Sequence, residues 1–319
     1  MARFQGMKRL RLWWGFALWA TGLAAQSDSI PGTNWTSADW TVFEAKVRRG
    51  AAHGLVGLPV GRAIARLGKT FVGTKYTPAT LEVPGPERLV INLRELDCVT
   101  FIENVLALVR FIRTDGTRLL ADPPAARARY ESYLADLRYR DGVRGGYSSR
   151  LHYFSEWLTD NARRGTVTLI TADLGGRIDT EPITFMSTHR AAYRQLADSG
   201  EYLAIQAIEA RLNAAGGRSF LPESAIARSA RRIRDGDVIA ATSTVAGLDV
   251  AHTGFALWQA GRLHLLHAPL VGKSVEISTK PLAERIESIA TQDGILVARP
   301  NAEWARPAVR PVRQRALLR

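Results

Sequence analysis

The strongest constraint on this chain is a change in the period of its apolar residues at Asp237. Upstream, apolar side chains recur every three or four positions. Val99, Ile102, Val105, Leu106, Val109 and Ile112 form the clearest such face. That spacing predicts an amphipathic helix over 99–112, with Asp97 ahead of it as a cap for the free N–H groups of the first turn. Further helices are expected at 38–50, 60–67, 125–138, 150–161, 183–200 and 202–214, and one early strand at 167–170. Downstream, 238–240, 253–258, 263–266, 275–277 and 295–298 are short apolar or alternating runs, which suit strands. Helices first and an antiparallel sheet last define an α+β chain, with the 99–112 helix packed on the sheet and further helices around it.

Length and composition add bounds. The 319 residues are 46% hydrophobic and 23% charged, which excludes a disordered chain and a coiled coil and suits one main domain. Residues 1–25 read as a separate unit. Arg3, Lys8, Arg9 and Arg11 precede an apolar, Trp-rich stretch, and small residues Gly22 to Ala25 follow. A basic head, a short apolar middle and a small-residue exit describe a secretory signal peptide. The apolar run, about a dozen residues, is short of the roughly 20 that span a bilayer, so an uncleaved anchor is the weaker alternative. The expected organisation is therefore a signal peptide over 1–25, a domain over 26–299 and a flexible basic tail over 300–319. Export, to a periplasm where the source has two membranes, is the expected destination, without stable membrane insertion after cleavage.

The formal net charge is +13; without the four basic residues of the leader, 39 basic against 30 acidic residues leave +9. A field of that sign draws anionic partners. Export argues against nucleic acid; an acidic cell-wall polymer is another such partner and needs no base-reading motif, and charge alone does not choose.

Chemistry-bearing residues are few. The single cysteine, Cys98, has no partner for a disulfide, so in an oxidising compartment it is either buried or reactive. It opens the 99–112 helix, where unpaired N–H groups and the positive end of the helix dipole favour a thiolate and can hold an oxyanion. Six histidines are candidates for its base. Taking Gln259-Ala260 as a two-residue turn makes a hairpin of 249–269, with His252 opposite His267 on one face and His264 on the other. One ring could accept the thiol proton while the other orients it. Spacing alone leaves three readings open: thiol catalysis, simple packing, and a zinc site of one thiol and two imidazoles.

Several stretches carry a family resemblance. Leu96-Asp97-Cys98-Val99-Thr100-Phe101-Ile102-Glu103 and Gly247-Leu248-Asp249-Val250-Ala251-His252-Thr253-Gly254 are two of them. Leu265-Leu266-His267-Ala268, Tyr147–Phe154, Phe185-Met186-Ser187 and Gly73-Thr74-Lys75-Tyr76 are the others. Together they resemble the DUF1460 family, a branch of the NlpC/P60 papain-like superfamily, over roughly 65–300. The departures are Thr253 and Phe255 after the first histidine, where aliphatic residues are more usual, and Pro269 after His-Ala.

The resemblance implies a papain-like core and a peptidoglycan amidase acting between N-acetylmuramic acid and L-alanine. It implies Cys98 as nucleophile, His252 as base and His267 as third polar residue, without cofactor or metal. Tyr76 either adds a hydrogen bond beside the thiol or is a buried aromatic. Arg150, His152 and Tyr153 are candidate substrate contacts, with a surface ion pair as the plain alternative for Arg150. Asp249 either meets a substrate amine or caps its own turn. A D-glutamyl–diaminopimelate endopeptidase and a non-catalytic wall-binding protein are the competing functions. Oligomeric state has no sequence signal.

Overall fold

A computed structural model describes residues 28–270 and 273–304. The proposed leader and most of the proposed tail lie outside the described residues. In chain order the regular elements begin with α1 (Ser37–Ala52), α2 (Val60–Lys69), β1 (Lys75–Tyr76) and β2 (Glu95–Leu96). Next come α3 (Cys98–Thr114), α4 (Pro123–Arg138), α5 (Phe154–Arg163), β3 (Val167–Leu169), β4 (Arg177–Asp179) and α6 (Phe185–Thr188). α7 (Ser199–Ala214), β5 (Arg218–Pro222), α8 (Glu223–Ser229), β6 (Val238–Ser243) and β7 (Val250–Gln259) follow. β8 (Arg262–His267), β9 (Glu276–Ile277), α9 (Leu282–Glu287) and β10 (Gln292–Pro300) complete the set.

The antiparallel sheet runs in the order β4, β5, β10, β6, β7, β8, β9, and β3 also pairs with β10. Period-two alternation sorts its side chains. Val238, Ala240, Phe255, Leu257, Leu266, Leu296 and Ala298 belong to a core shared with α1 to α5. Ile239, Ala241, Ala256, Leu263, Leu265, Ile295 and Val297 pack with Ile226 of α8 and with Leu282 and Ile286 of α9. Each fully buried Val, Leu, Ile or Phe among them contributes about 1.5–3 kcal/mol. The α+β class expected from the period change is observed.

α3 runs through the first core, and every residue from Thr100 to Ile112 is buried. Its polar residues are therefore paired. Glu103 accepts from Arg138 of α4 at 2.7 Å with both side chains 2% exposed, and Asn104 accepts the Tyr130 hydroxyl at 2.5 Å.

Four expectations need correction. The stretch 183–200 is not one helix, since α6 covers only Phe185–Thr188, two short 3₁₀ turns follow, and α7 begins at Ser199. Here the amides of Thr184 and Phe185 donate to Gly247 O, and the Asn213 side chain ties both backbone groups of Ile183, so the chain is held by distant partners. α5 starts at Phe154, not Arg150, because Arg150 is extended and Leu151 N–H donates to Arg138 O. The early strand expected at 167–170 forms as β3, but the sheet also takes β4 and β5 from the middle of the chain, so β3 is not its only strand from before Asp237. Finally, the strand at the C-terminal end continues to Pro300, Asn301 N–H donates to Thr166 O, and Trp304 packs on the core. Residues 300–304 are thus part of the folded body.

Candidate active site

Three segments converge on Cys98, the first residue of α3. The helix begins there because Asp97 and Thr100 form a reciprocal cap. The Asp97 carboxylate accepts Thr100 N–H at 2.8 Å, and Thr100 Oγ1 accepts Asp97 N–H at 2.9 Å. β2 delivers the chain into this cap and pairs in parallel with β1, Tyr76 opposite Leu96. The 73–76 loop is stitched onward to the approach to β9: Gly73 N–H donates to Val275 O and Val275 N–H to Thr74 O. The third segment is β7, whose Thr253 hydroxyl donates to the Cys98 carbonyl at 2.9 Å.

His252 immediately precedes Thr253, where a register shift interrupts the β6–β7 ladder between Ala241 and Thr242. The imidazoles of His252 and His267 meet at 2.7 Å, Nε2 to Nδ1, with ring planes at 80°. Their strand register differs from the sequence expectation. His267 lies across from Gly254, not His252, because the turn residues are Ala260 and Gly261. Both have positive φ, 47° and 75°, as a tight two-residue hairpin requires. The shift is two residues, so the faces are preserved and the rings meet diagonally. Gly254 lets the β8 strand pack directly on the β7 backbone here, since a Cβ would lie 2.8 Å from Leu265 side-chain carbons and from Leu266 O. His264 lies on the opposite face and bonds Ser278 O.

The electrostatics differ from a simple thiolate site. Burial pushes the Cys98 thiol up to about 11, with the Asp97 charge adding to it, and hydrogen bonds from Thr253 and from its own amide offset only part. The helix N-terminus is thus outweighed by desolvation. Burial holds His252 well below the usual imidazole range, helped by His267 and Arg285. Burial and Arg285 bring His267 down to about 3. Each of these shifts favours the neutral form of its group. Tyr76 is raised by burial and then by the charges of Cys98 and Asp97.

The other expected contacts face inward. Arg150 is 4% exposed, and its guanidinium pairs with Glu82 at 3.0 Å and Glu87 at 3.4 Å. The carboxylates it meets are the protein's own. His152 bonds Tyr147 O and packs on the Tyr147 ring, and burial followed by Arg150 keeps it neutral. The buried Tyr153 hydroxyl donates to Glu209 at 2.6 Å and accepts Met186 N–H. Asp249 is 2% exposed and accepts Ser155 N–H at the start of α5 and Val250 N–H, both at 2.8 Å. Of its two expected roles the capping one is observed, and it ties β7 to α5. Sequence reasoning missed Thr253, Glu276 and Arg285, whose roles depend on cross-strand and helix–sheet contacts. A cleft of about 840 Å³ lined by Arg140, Ser155, Glu156, Arg211 and Arg218 contains none of Cys98, His252 and His267.

Among the described residues no group of three or more His, Cys, Asp or Glu side chains is arranged to hold a metal, and no helix is long and apolar enough to cross a membrane.

This fold recurs in solved amidases and related proteins. An N-acetylmuramoyl-L-alanine amidase from Bacteroides uniformis is 33% identical, with a TM-score of 0.69 over 76% of this chain and 99% of that one. A Bacteroides fragilis protein provisionally named a xylanase is 34% identical, with a TM-score of 0.65 over 73% of this chain and 98% of that one. A Legionella pneumophila protein described as DUF1460, 20% identical, shares the fold alone, with a TM-score of 0.58 over 83% of this chain and 96% of that one. Among curated proteins, none matches. The family profile described as AmiA-like, N-acetylmuramoyl-L-alanine amidase-like, matches residues 66–295. The chain belongs to that family.

Proposed function

We propose that the protein is an exported cysteine amidase that hydrolyses the bond between the lactyl group of N-acetylmuramic acid and L-alanine in peptidoglycan fragments. In this reading it has a papain-like core of the NlpC/P60 kind and acts in a periplasm. The observation that carries the reading is the 2.7 Å bond between His252 and His267, one residue away from the Thr253 bond to Cys98, in an amidase-like family.

The geometry suggests a division of labour. His252 Nε2 is engaged by His267, so Nδ1 is the nitrogen that takes the thiol proton. As the proton leaves, sulfur attacks the lactyl carbonyl. The oxyanion accepts from the Cys98 N–H, one of the orphan donors of the first helical turn. The C–N bond then breaks, and His252 returns the proton to the leaving L-alanyl amine. Water attacks the remaining thioester while His252 takes its proton, and the thiol departs re-protonated. Because the resting thiol is raised and the imidazoles are neutral, proton transfer accompanies attack and no ion pair is stored beforehand.

The test is digestion of purified muropeptides by wild type and Cys98→Ala, followed by mass spectrometry. Release of intact stem peptide by wild type alone is the expected result. Release of L-Ala-D-Glu would assign the endopeptidase reaction, and equal turnover by both proteins would remove the thiol mechanism.

A further inference from the structure

We infer that Glu276 is a positioning residue: its carboxylate accepts the Nε2 proton of His267, which fixes both imidazole tautomers and leaves His252 Nδ1 unprotonated toward the thiol. The inference rests on the amidase reading and deepens it.

The residues form a polar row across three strands. Glu276 of β9 is directly opposite His267 of β8, which is opposite Gly254 of β7 and diagonal to His252. Residues paired across antiparallel strands share a face, so all three side chains lie on one side of the sheet. His267 is 1% exposed, and its Nε2 is buried without a hydrogen-bond partner. A buried N–H left in that state is costly and rare, so a partner is expected. The Glu276 carboxylate stands 3.7 Å from it, about 0.7 Å beyond ordinary contact, with its side chain 41% exposed and able to turn inward. No water fits between groups that close, so the contact closes by side-chain rotation.

The tautomers then follow in order. A base at His252 Nδ1 must carry its proton on Nε2, which donates to His267 Nδ1. His267 therefore carries its proton on Nε2, the atom that needs Glu276. Reversing any one bond places a proton on His252 Nδ1 and blocks it. Arg285 of α9 completes the surroundings: its charge acts on both imidazoles and is itself partly offset by Glu276. The Glu276 charge thus also offsets part of the field of a cation that would otherwise oppose charge building on His252 as it takes the thiol proton.

The experiment pairs kinetics on muropeptides with ¹⁵N NMR of the imidazoles. In wild type and Glu276→Gln, whose amide oxygen still accepts, His267 should be protonated at Nε2. In Glu276→Ala it should become a mixture, with kcat reduced on the order of 10- to 100-fold and KM unchanged. Glu276→Gln should recover most of kcat, a rescue that a merely structural role would not predict. An unchanged tautomer pattern or an unchanged kcat in Glu276→Ala overturns the inference. The NMR arm reads proton positions without turnover. Activity surviving in Cys98→Ala would therefore sink the thiol reading while the tautomer result stood or fell independently.

Discussion

A cysteine at a helix N-terminus would ordinarily read as activated, yet the surroundings of Cys98 push the other way. Burial is the larger cause and Asp97 the second, and together they raise the thiol to about 11. A group raised this far is protonated throughout the physiological range, and its thiolate fraction grows about tenfold per pH unit until the pKa is reached. Alkylation of Cys98 by iodoacetamide should therefore accelerate continuously from pH 7 to pH 10. A plateau below pH 8 would show instead a stored thiolate–imidazolium pair and would contradict the concerted proton transfer proposed above. The same residue scale explains why Arg150, His152 and Tyr153 were read outward from sequence. A charged or aromatic side chain in a loop has no local signal for the distant carboxylate or amide that takes Arg150 or Tyr153 inward, and His152 turns onto Tyr147 only once the loop is folded. Glu82, Glu87 and Glu209 are 50 or more positions away from the residues they satisfy.

At the scale of elements, α3 is held by more than apolar packing. The Glu103–Arg138 pair joins it to α4 with almost no solvent contact. Such a pair is not strong net stabilisation, because desolvation offsets the attraction, but breaking it leaves a buried charge. Arg138→Ala should cost about 3–5 kcal/mol in urea unfolding. The charge-free double variant Glu103→Leu with Arg138→Met should recover most of that loss. If the single and double variants unfold alike, the pair is not what governs the α3–α4 contact. The hairpin of β7 and β8 shows a different kind of legibility. The alternation of apolar residues determined which histidines share a face, whereas the register depended on which two residues adopt positive φ. Gly261 adopts it freely and Ala260 at some cost, so composition alone did not mark the pair.

For the whole molecule, β10 is the strand on which the sheet closes. It pairs with β3, β5 and β6, and Ile295, Leu296, Val297 and Ala298 alternate between the two cores. Truncation after Thr291 should therefore yield no cooperatively folded protein, by circular dichroism and proteolysis. Truncation after Trp304 should retain the native transition, because β10 and the Trp304 contact remain. A folded product from the shorter chain would mean that β6 can close the sheet by itself.

Sequence by itself determined the α+β class, the start of α3 behind its Asp97 cap, and the pairing of His252 with His267 on one face. Each of these is local: a capping residue, a period of 3.6 and a period of two are written in neighbouring positions. Tertiary structure alone decided the strands β4 and β5, the fate of 183–200, the inward turn of Arg150 and Tyr153, and the raised thiol. Those depend on contacts between positions tens of residues apart and on how much water the closed fold excludes, and neither quantity is carried by any short run of residues.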